Sequence, residues 1–331
     1  MNPYKTLSNH ALIVGIAATF LSFTGTAASA AEGDYQFKAD PAKVLGAENC
    51  KECHAPIFAA WEKTHHYASY NTMHRTDSAK AILKKMGMRS AKRDLCVQCH
   101  YTGQASGSRV KTISGTSCES CHGGGADWNK VHSNKEDAMA LTKSEALGMI
   151  RPYNTYAVAA NCFTCHTVPA EELINKGGHP AGSDFELVSW SQGEVRHNLQ
   201  KTEGKQNTEA GTAHRRVLYV VGRILDLEHS IRALGGARGA GPFATKMTER
   251  VNRSLDELKK IQGAGVAVGV IVAVVDASQL KPGNAAALKG AADKIAKLGR
   301  AFSTGNDGSN LTGVDGLIPG ADRYKGAPFQ P

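Results

Sequence analysis

Hydrophobic positions recur with helical spacing in the part of the chain after residue 200. One apolar set follows steps of three and four residues: Val217, Val220, Val221, Ile224, Leu227, Ile231 and Leu234. This spacing places the set on one face of a helix, and the following Gly235-Gly236 is typical of a helix end. Two further helices are predicted around Val251, Leu255, Leu258 and Ile261, and around Leu288, Ala292, Ile295, Leu298 and Phe302. Three amphipathic helices in succession predict a helical bundle.

The remaining C-terminal segments have a different character. Residues 266–275 form an apolar run that is too short to span a membrane, so we expect a buried core segment there. Pro282-Gly283 separates this run from the third helix. The tail from Ser303 is rich in glycine, asparagine and proline, and we expect it to be irregular.

The first 200 residues show weaker periodicity. Helices are predicted at 56–69, with Pro56 near the start, at 76–86 and at 135–150. Segment 106–117 is β-branched and interrupted by glycine, so a loop or short hairpin is expected. The predicted fold class is mainly α with much irregular structure, divided into regions 32–200 and 201–331.

The N-terminus has the pattern of a secretory signal peptide. Lys5 precedes a mostly apolar stretch at 11–23, and Ala28-Ser29-Ala30 is typical of a cleavage site. The apolar stretch is too short to span a bilayer. We therefore expect residues 1–31 to be removed and the mature chain, without a transmembrane helix, to reach the periplasm.

All eight cysteines fall in four repeats of Cys-x-x-Cys-His. In chain order, motifs 1 to 4 are Cys50, Cys53 and His54; Cys96, Cys99 and His100; Cys118, Cys121 and His122; Cys162, Cys165 and His166. Such a motif is typical of c-type haem attachment, with two thioether bonds and the histidine as an axial iron ligand. The sequence thus predicts four covalently attached haems.

Other cysteine chemistries explain less of this pattern. A disulfide framework does not need a histidine after every second cysteine, and a four-cysteine zinc site gives no reason for four trailing histidines. A thioredoxin-type redox motif would occur once, within a βαβ unit. Because no cysteine remains outside the motifs, no disulfide is expected.

The close spacing of the motifs and the net charge limit the possible architectures and partners. The motifs lie between residues 50 and 166, too little chain to wrap each macrocycle separately, so we expect a core organised around four stacked haems. The formal charge of +9 would suit nucleic acid, but two propionates on each haem offset it. We expect no nucleic-acid partner, while lysine-rich patches would attract an acidic redox partner.

The second axial ligand decides what each haem does. A second histidine gives a closed electron-transfer haem, whereas an open position lets the haem bind a small molecule. Eight histidines of the mature chain lie outside the motifs: His65, His66, His74, His132, His179, His197, His214 and His229. This supply is sufficient for four closed haems, although counting alone leaves an open haem possible.

Three features resemble the tetrahaem cytochrome c-554 family. Trp61-Glu-Lys-Thr64-His65-His66 resembles the family's Trp-x-x-Thr-x-His segment after motif 1. Motif 3 with its glycines, from Cys118 to Gly125, is similar to Cys-Glu-Ser-Cys-His-Gly-x-Gly, and His132 lies ten residues after His122 as in the family. The resemblance covers roughly residues 47–200. It implies an electron carrier, since members of that family accept electrons from hydroxylamine oxidoreductase in ammonia-oxidising bacteria.

The resemblance also implies distal ligands. His66 would close the haem of motif 4 and His132 that of motif 1. His197 would close the haem of motif 3, with His179 as its competitor. The second haem has no protein distal ligand in the family, so the haem of motif 2 would be open here unless His74 closes it. Nearby methionines are expected to pack rather than to ligate.

These expectations favour a periplasmic tetrahaem cytochrome that carries electrons between redox partner proteins through closely spaced, mostly bis-histidine haems. The alternative is a haem enzyme that reduces or oxidises a small nitrogen or sulfur species at an open second haem. A third hypothesis, a polymerising conduit subunit, finds no support in the C-terminal helices.

Overall fold

The computed structural model describes residues 38–182 and 184–331, and this part of the chain is mostly helical. The predicted signal peptide at 1–31 lies outside the described residues. The helices are α1 Ala47–Trp61, α2 His65–Thr72, α3 Asp77–Met86, α4 Val97–His100, α5 Cys118–His122, α6 Asn129–His132, α7 Ala140–Ala146, α8 Thr155–His166, α9 Glu171–Asn175, α10 Leu187–Ser191, α11 Thr212–Gly235, α12 Pro242–Gly263, α13 Gly269–Val272 and α14 Ala285–Gly305. Within these ranges, no helix is both long and apolar enough to cross a bilayer.

The predicted short hairpin is present, although it starts earlier than expected. Strand β1, Thr102–Ser106, pairs antiparallel with β2, Arg109–Ser114. Gly107 in the connecting turn has a φ of 61°, a left-handed conformation that glycine adopts without steric cost. The hairpin lies directly between motifs 2 and 3.

The single helix predicted at 56–69 is wrong, because two helices meet there. Helix α1 begins nine residues earlier, at Ala47, and is kinked at His54, whose φ of −116° and ψ of 37° are not helical. Pro56 explains the kink, since proline lacks an amide donor and its ring clashes with the preceding turn. A new helix, α2, begins after Thr64, whose side chain accepts a hydrogen bond from the Tyr67 amide and so caps it.

Two other helix predictions of the N-terminal half had different outcomes. The helix at 76–86 is confirmed as α3, with the Thr76 side chain capping its first turn. The helix at 135–150 is wrong in extent, because only the short α7 forms there. Gly148, two residues after the end of α7, has a φ of 100°. This is not a helical conformation, and glycine adopts it without steric cost, so the helix does not continue through it.

The three helices predicted after residue 200 are confirmed as α11, α12 and α14. Helix α11 packs against α8, α12 and α14, and its apolar face is fully buried. The run at 266–275 contributes Val266, Val268 and Ile271 to the core, but Val270 is 64% exposed, so the predicted buried segment is confirmed only in part. After α14 the tail continues as irregular chain with two short 3-10 turns, Thr312–Leu317 and Ala321–Arg323.

The largest hydrophobic core joins motif 4 to the C-terminal helices. Tyr156 and Phe163, on the helix that carries motif 4, are buried in the same cluster as the apolar face of α11. Gly299 of α14 permits this packing, since a Cβ there would lie 2.6 Å from a ring carbon of Tyr156. Helix α8 is therefore packed against α11 and α14, and it carries motif 4 at its end.

Candidate haem-binding site

Each Cys-x-x-Cys-His motif occupies about one turn of helix. Helices α4, α5 and α8 end at the motif histidines His100, His122 and His166, and α1 kinks at His54. Residues three apart on a helix lie on one face, so the two thiols of a motif point the same way. The histidine follows where the regular backbone ends or bends. The same local structure thus recurs four times.

The cysteine side chains are more accessible than free cysteines usually are. Seven of the eight thiols are half-buried, and Cys53 is exposed. Free cysteine is among the most often buried residue types. In the described part of the chain that carries motifs 1 to 3, buried hydrophobic side chains such as Phe58 and Trp128 are scattered, and the hydrophobic cluster there has three buried members, Ala91, Val97 and Tyr101. Both features suit thiols that carry a large apolar group.

Every motif histidine lies opposite one histidine from outside the motifs. The ring centroids are 6.3 Å apart for His54 and His132, for His66 and His166, and for His122 and His197, and 6.4 Å apart for His100 and His179. Three of these four pairs are the combinations that the family resemblance implies. The fourth pair brings His179 to motif 2 rather than to motif 3.

The spacing of these pairs fits one iron between each pair of rings. Two imidazole nitrogens bound to one metal at about 2 Å each would hold the ring centroids about 6.3 Å apart. No direct side-chain contact requires the same spacing at four separate places. Within residues 38–182 and 184–331, groups of three or more potential ligands around one point are absent, so the histidines meet only two at a time. Paired axial ligands of haem have this arrangement.

Hydrogen bonds fix the orientation of several of these rings. The Nδ1 atoms of His122, His132, His179 and His197 lie 2.5–2.9 Å from backbone carbonyl oxygens, and Nδ1 of His54 lies 3.3 Å from Oε1 of Gln200. A carbonyl oxygen only accepts, so Nδ1 carries the proton and Nε2 keeps its lone pair. An outer hydrogen bond of this kind usually orients a metal-bound histidine. These five rings are therefore prepared to ligate through Nε2.

Burial keeps several of the paired imidazoles neutral. Desolvation, with smaller contributions from neighbouring histidines, lowers the pKa of His100 to about 4 and that of His166 to about 3. Burial also lowers the pKa of His66 and of His122 below the usual value for histidine. The neutral imidazole is the form that binds a metal.

The other candidate histidines are not opposite a motif histidine. His74 is half-buried in the 3-10 turn Met73–Arg75 after α2, and its Nδ1 has no hydrogen-bond partner among the described residues. His100 is paired with His179 instead, so the ligand role weighed for His74 gains no support from its position. His65 is 89% exposed, and its Nδ1 lies 2.5 Å from the carboxylate of Glu194.

Sequence reasoning missed the role of Glu119, the first variable residue of motif 3. Its side chain is 2% exposed and accepts hydrogen bonds of 2.8 Å from the backbone amides of Leu45, Gly46 and Gly125. These bonds tie motif 3 to the start of α1, which carries motif 1. The sequence offered one signal for this role, a glutamate inside an otherwise uncharged motif. It could not show which amides Glu119 binds, because Leu45 and Gly46 are distant in sequence.

Contacts between motifs follow an order different from that of the chain. Helices α1 and α5 are in contact, which joins motif 1 to motif 3. The Asn161 side chain donates to the Cys121 carbonyl at 2.7 Å, which joins motif 3 to the helix of motif 4. Helices α4 and α8 are also in contact, and Sγ of Cys165 lies 3.9 Å from the Gln98 carbonyl oxygen, which joins motif 4 to motif 2. The spatial order is therefore 1, 3, 4, 2.

Comparison with known proteins agrees with this site. Residues 49–123, which contain motifs 1 to 3, match the family described as cytochrome c554 and c-prime. Cytochrome c-554 of Nitrosomonas europaea is 24% identical over 168 residues, which are 46% of this chain and 65% of that protein. The match thus spans less than two thirds of this relative's length, and no solved structure matches the chain. The resemblance inferred from the motifs is confirmed by these two matches: residues 49–123 match the cytochrome c-554 family, whose members carry covalently bound c-type haem.

Proposed function

We propose that this protein is a periplasmic tetrahaem c-type cytochrome that carries electrons between redox partner proteins. The observation that carries the proposal is the set of four histidine pairs, each with one motif histidine and one distal histidine at 6.3–6.4 Å. When bound, the haems supply one-electron iron chemistry. The residues of the chain would hold each haem through the two thiols of its motif and one pair of histidines, and would fix the spacing of the haems.

The position of His179 favours a carrier over an enzyme. A haem that activates a small molecule needs an open axial position, and the family resemblance makes motif 2 the candidate. His179 lies opposite His100 with the spacing of the other three pairs. Its Nδ1 is 2.9 Å from the Pro180 carbonyl, which leaves Nε2 free for the iron. We therefore assign His179 as the distal ligand of motif 2, a departure from the family pattern.

The contacts between motifs support one path through the protein. In the order 1, 3, 4, 2, motifs 1 and 2 form the two ends and motifs 3 and 4 the middle. Motif 4 is held by the C-terminal bundle through α8. We infer that electrons enter at one end, near motif 1 or motif 2, and leave at the other.

A basic surface lies beside the motif 2 end. It comprises Arg75, Lys80, Lys84, Lys85, Arg89, Lys92 and Arg93, and Asp77 is the one acidic residue within 75–93. Residues 75–93 thus carry a net charge of +6, which is two thirds of the net charge of +9 of the whole chain. Helix α3 of this surface packs on the loop that carries His179, since a Cβ on Gly177 would lie 3.2 Å from Met86 Cγ.

Most charges of the basic surface are not neutralised by the protein itself. Lys80 pairs with Asp77 at 3.2 Å, whereas Lys84, Lys85 and Arg89 are exposed and have no carboxylate partner in the described part of the chain. A one-sign surface of this kind raises the association rate of an oppositely charged partner. We infer that an acidic redox protein docks here and exchanges electrons with the haem of motif 2.

Low-temperature electron paramagnetic resonance on the fully oxidised holoprotein tests the axial ligation. We expect only low-spin ferric signals, because each haem has two histidine ligands. A high-spin signal from one haem in four would contradict the assignment of His179 and favour the enzyme alternative.

Electron transfer from an acidic ferredoxin, followed at several salt concentrations, tests the basic surface. We expect K84E/K85E/R89E to slow the reaction and to weaken its salt dependence. The matched control is K246E/K259E/K260E on α12, where each exposed lysine is paired with a carboxylate. If both triple variants slowed electron transfer equally, the net charge alone would explain the effect. That result would refute a specific docking surface.

A further inference from the structure

Two charged side chains of the bundle are buried beside the haem motifs. Arg250 of α12 and Asp226 of α11 are 3% and 5% exposed, and Nε of Arg250 donates to Oδ1 of Asp226 at 2.5 Å. Ser254 donates to the second carboxylate oxygen at 3.0 Å. Burying an ion pair often contributes little net stability, since both charges lose their hydration. A role in stability alone is therefore a weak explanation for this pair.

The Arg250 side chain extends from the bundle to motif 4. Its NH1 atom donates to the backbone carbonyl of His166 at 3.1 Å. This carbonyl belongs to the last residue of α8, where helix geometry leaves carbonyls without intrahelical partners. Gly182 makes room for the guanidinium, because a Cβ there would lie 2.6 Å from NH1. A side chain of the bundle thus contacts a motif histidine directly.

The pair is oriented with its positive end towards motif 4. Nε of Arg250 donates to Asp226, and NH1 of Arg250 donates to the His166 carbonyl. The guanidinium therefore lies between the carboxylate and the motif. Charges are weakly screened in a buried environment. A positive charge beside an iron ligand disfavours the ferric state, which carries one more positive charge than the ferrous state. The arrangement therefore favours reduction at this position.

We propose that Arg250, held in place by Asp226, is a positioning residue that raises the reduction potential of the haem at motif 4. The inference rests on the proposed function, since it requires a haem ligated by His166 and His66. It gives the C-terminal bundle a redox role: the bundle sets the driving force at an interior step of the path from motif 1 to motif 2.

Opposite shifts in two variants distinguish this role from simple loosening of the fold. In R250Q the positive charge is lost, and we expect the potential of one haem to fall. In D226N the guanidinium loses its counter-charge, and we expect the potential of the same haem to rise. A purely structural defect would shift both variants in one direction. R250K, which keeps the charge but not the planar group, should stay nearer to wild type than R250Q.

Spectroelectrochemical titration of the purified holoproteins measures these shifts. The control is R216Q, which removes a surface arginine of α11 whose Nε and NH2 atoms bind Asp315 at 2.6 and 2.7 Å. Resonance spectra of the wild type come first, because a haem count below four or a high-spin haem would refute the proposed function itself. If the wild type has four low-spin haems, then unshifted potentials, or shifts of one sign in R250Q and D226N, would refute the role of Arg250.

Discussion

Replacing His179 with alanine tests which histidine closes the haem of motif 2. The ring of His179 is 6.4 Å from that of His100, whereas His74 lies opposite none of the four motif histidines. Loss of an axial imidazole leaves the iron five-coordinate or water-bound, which favours the high-spin state. H179A should therefore convert one of the four haems, a quarter of the total iron, to high spin. H74A should convert none.

The assay combines resonance spectra of the ferric protein with carbon monoxide titration of the ferrous protein. We expect no carbon monoxide binding by the wild type and by H74A, and one equivalent by H179A. His179 is half-buried on a loop outside the bundle core, so its truncation should leave the packing of the C-terminal helices unchanged. Thermal unfolding therefore provides the control for intact structure. High-spin iron in H74A, with none in H179A, would refute the assignment.

Three further predictions concern the framework around the haems. G299L should lower the free energy of unfolding by about 3 kcal/mol, because its side chain would overlap Tyr156, and chemical denaturation measures the change. E119Q should cost on the order of 2 kcal/mol in the same assay, because a charged acceptor for three backbone amides is lost; unchanged stability would contradict this. Arg216 lowers the pKa of Asp315 below its ordinary value of 3.8, so the ion pair stabilises the fold above that value and stops doing so as the pH falls through the folded-state pKa. D315N should therefore be less stable than wild type at neutral pH and equal to it in strong acid; a pH-independent difference would contradict the ion-pair explanation.

The helices with a strong apolar pattern could be predicted from the sequence, while those shaped by haem-binding motifs could not. Helix α11 was predicted with its end at Gly235-Gly236, since regular three- and four-residue spacing requires no knowledge of neighbours. The helix predicted at 56–69 proved to be two, because α1 ends at Trp61 and a cap at Thr64 starts α2. Neither feature alters hydrophobic spacing, so periodicity alone did not reveal them.

The sequence by itself determined the chemistry of each motif, because two thiols and a histidine within five residues are brought together by a single helical turn. It did not determine the partner of each histidine. His100 and His179 are 79 positions apart, and their distance depends on how α3, α9 and the intervening loops pack. The order of the motifs in space and the contact of Arg250 with His166 likewise depend on the packing of segments that are distant in sequence. Local covalent chemistry is encoded over a few residues, whereas axial pairing, motif order and the field around a ligand arise only when distant segments pack together.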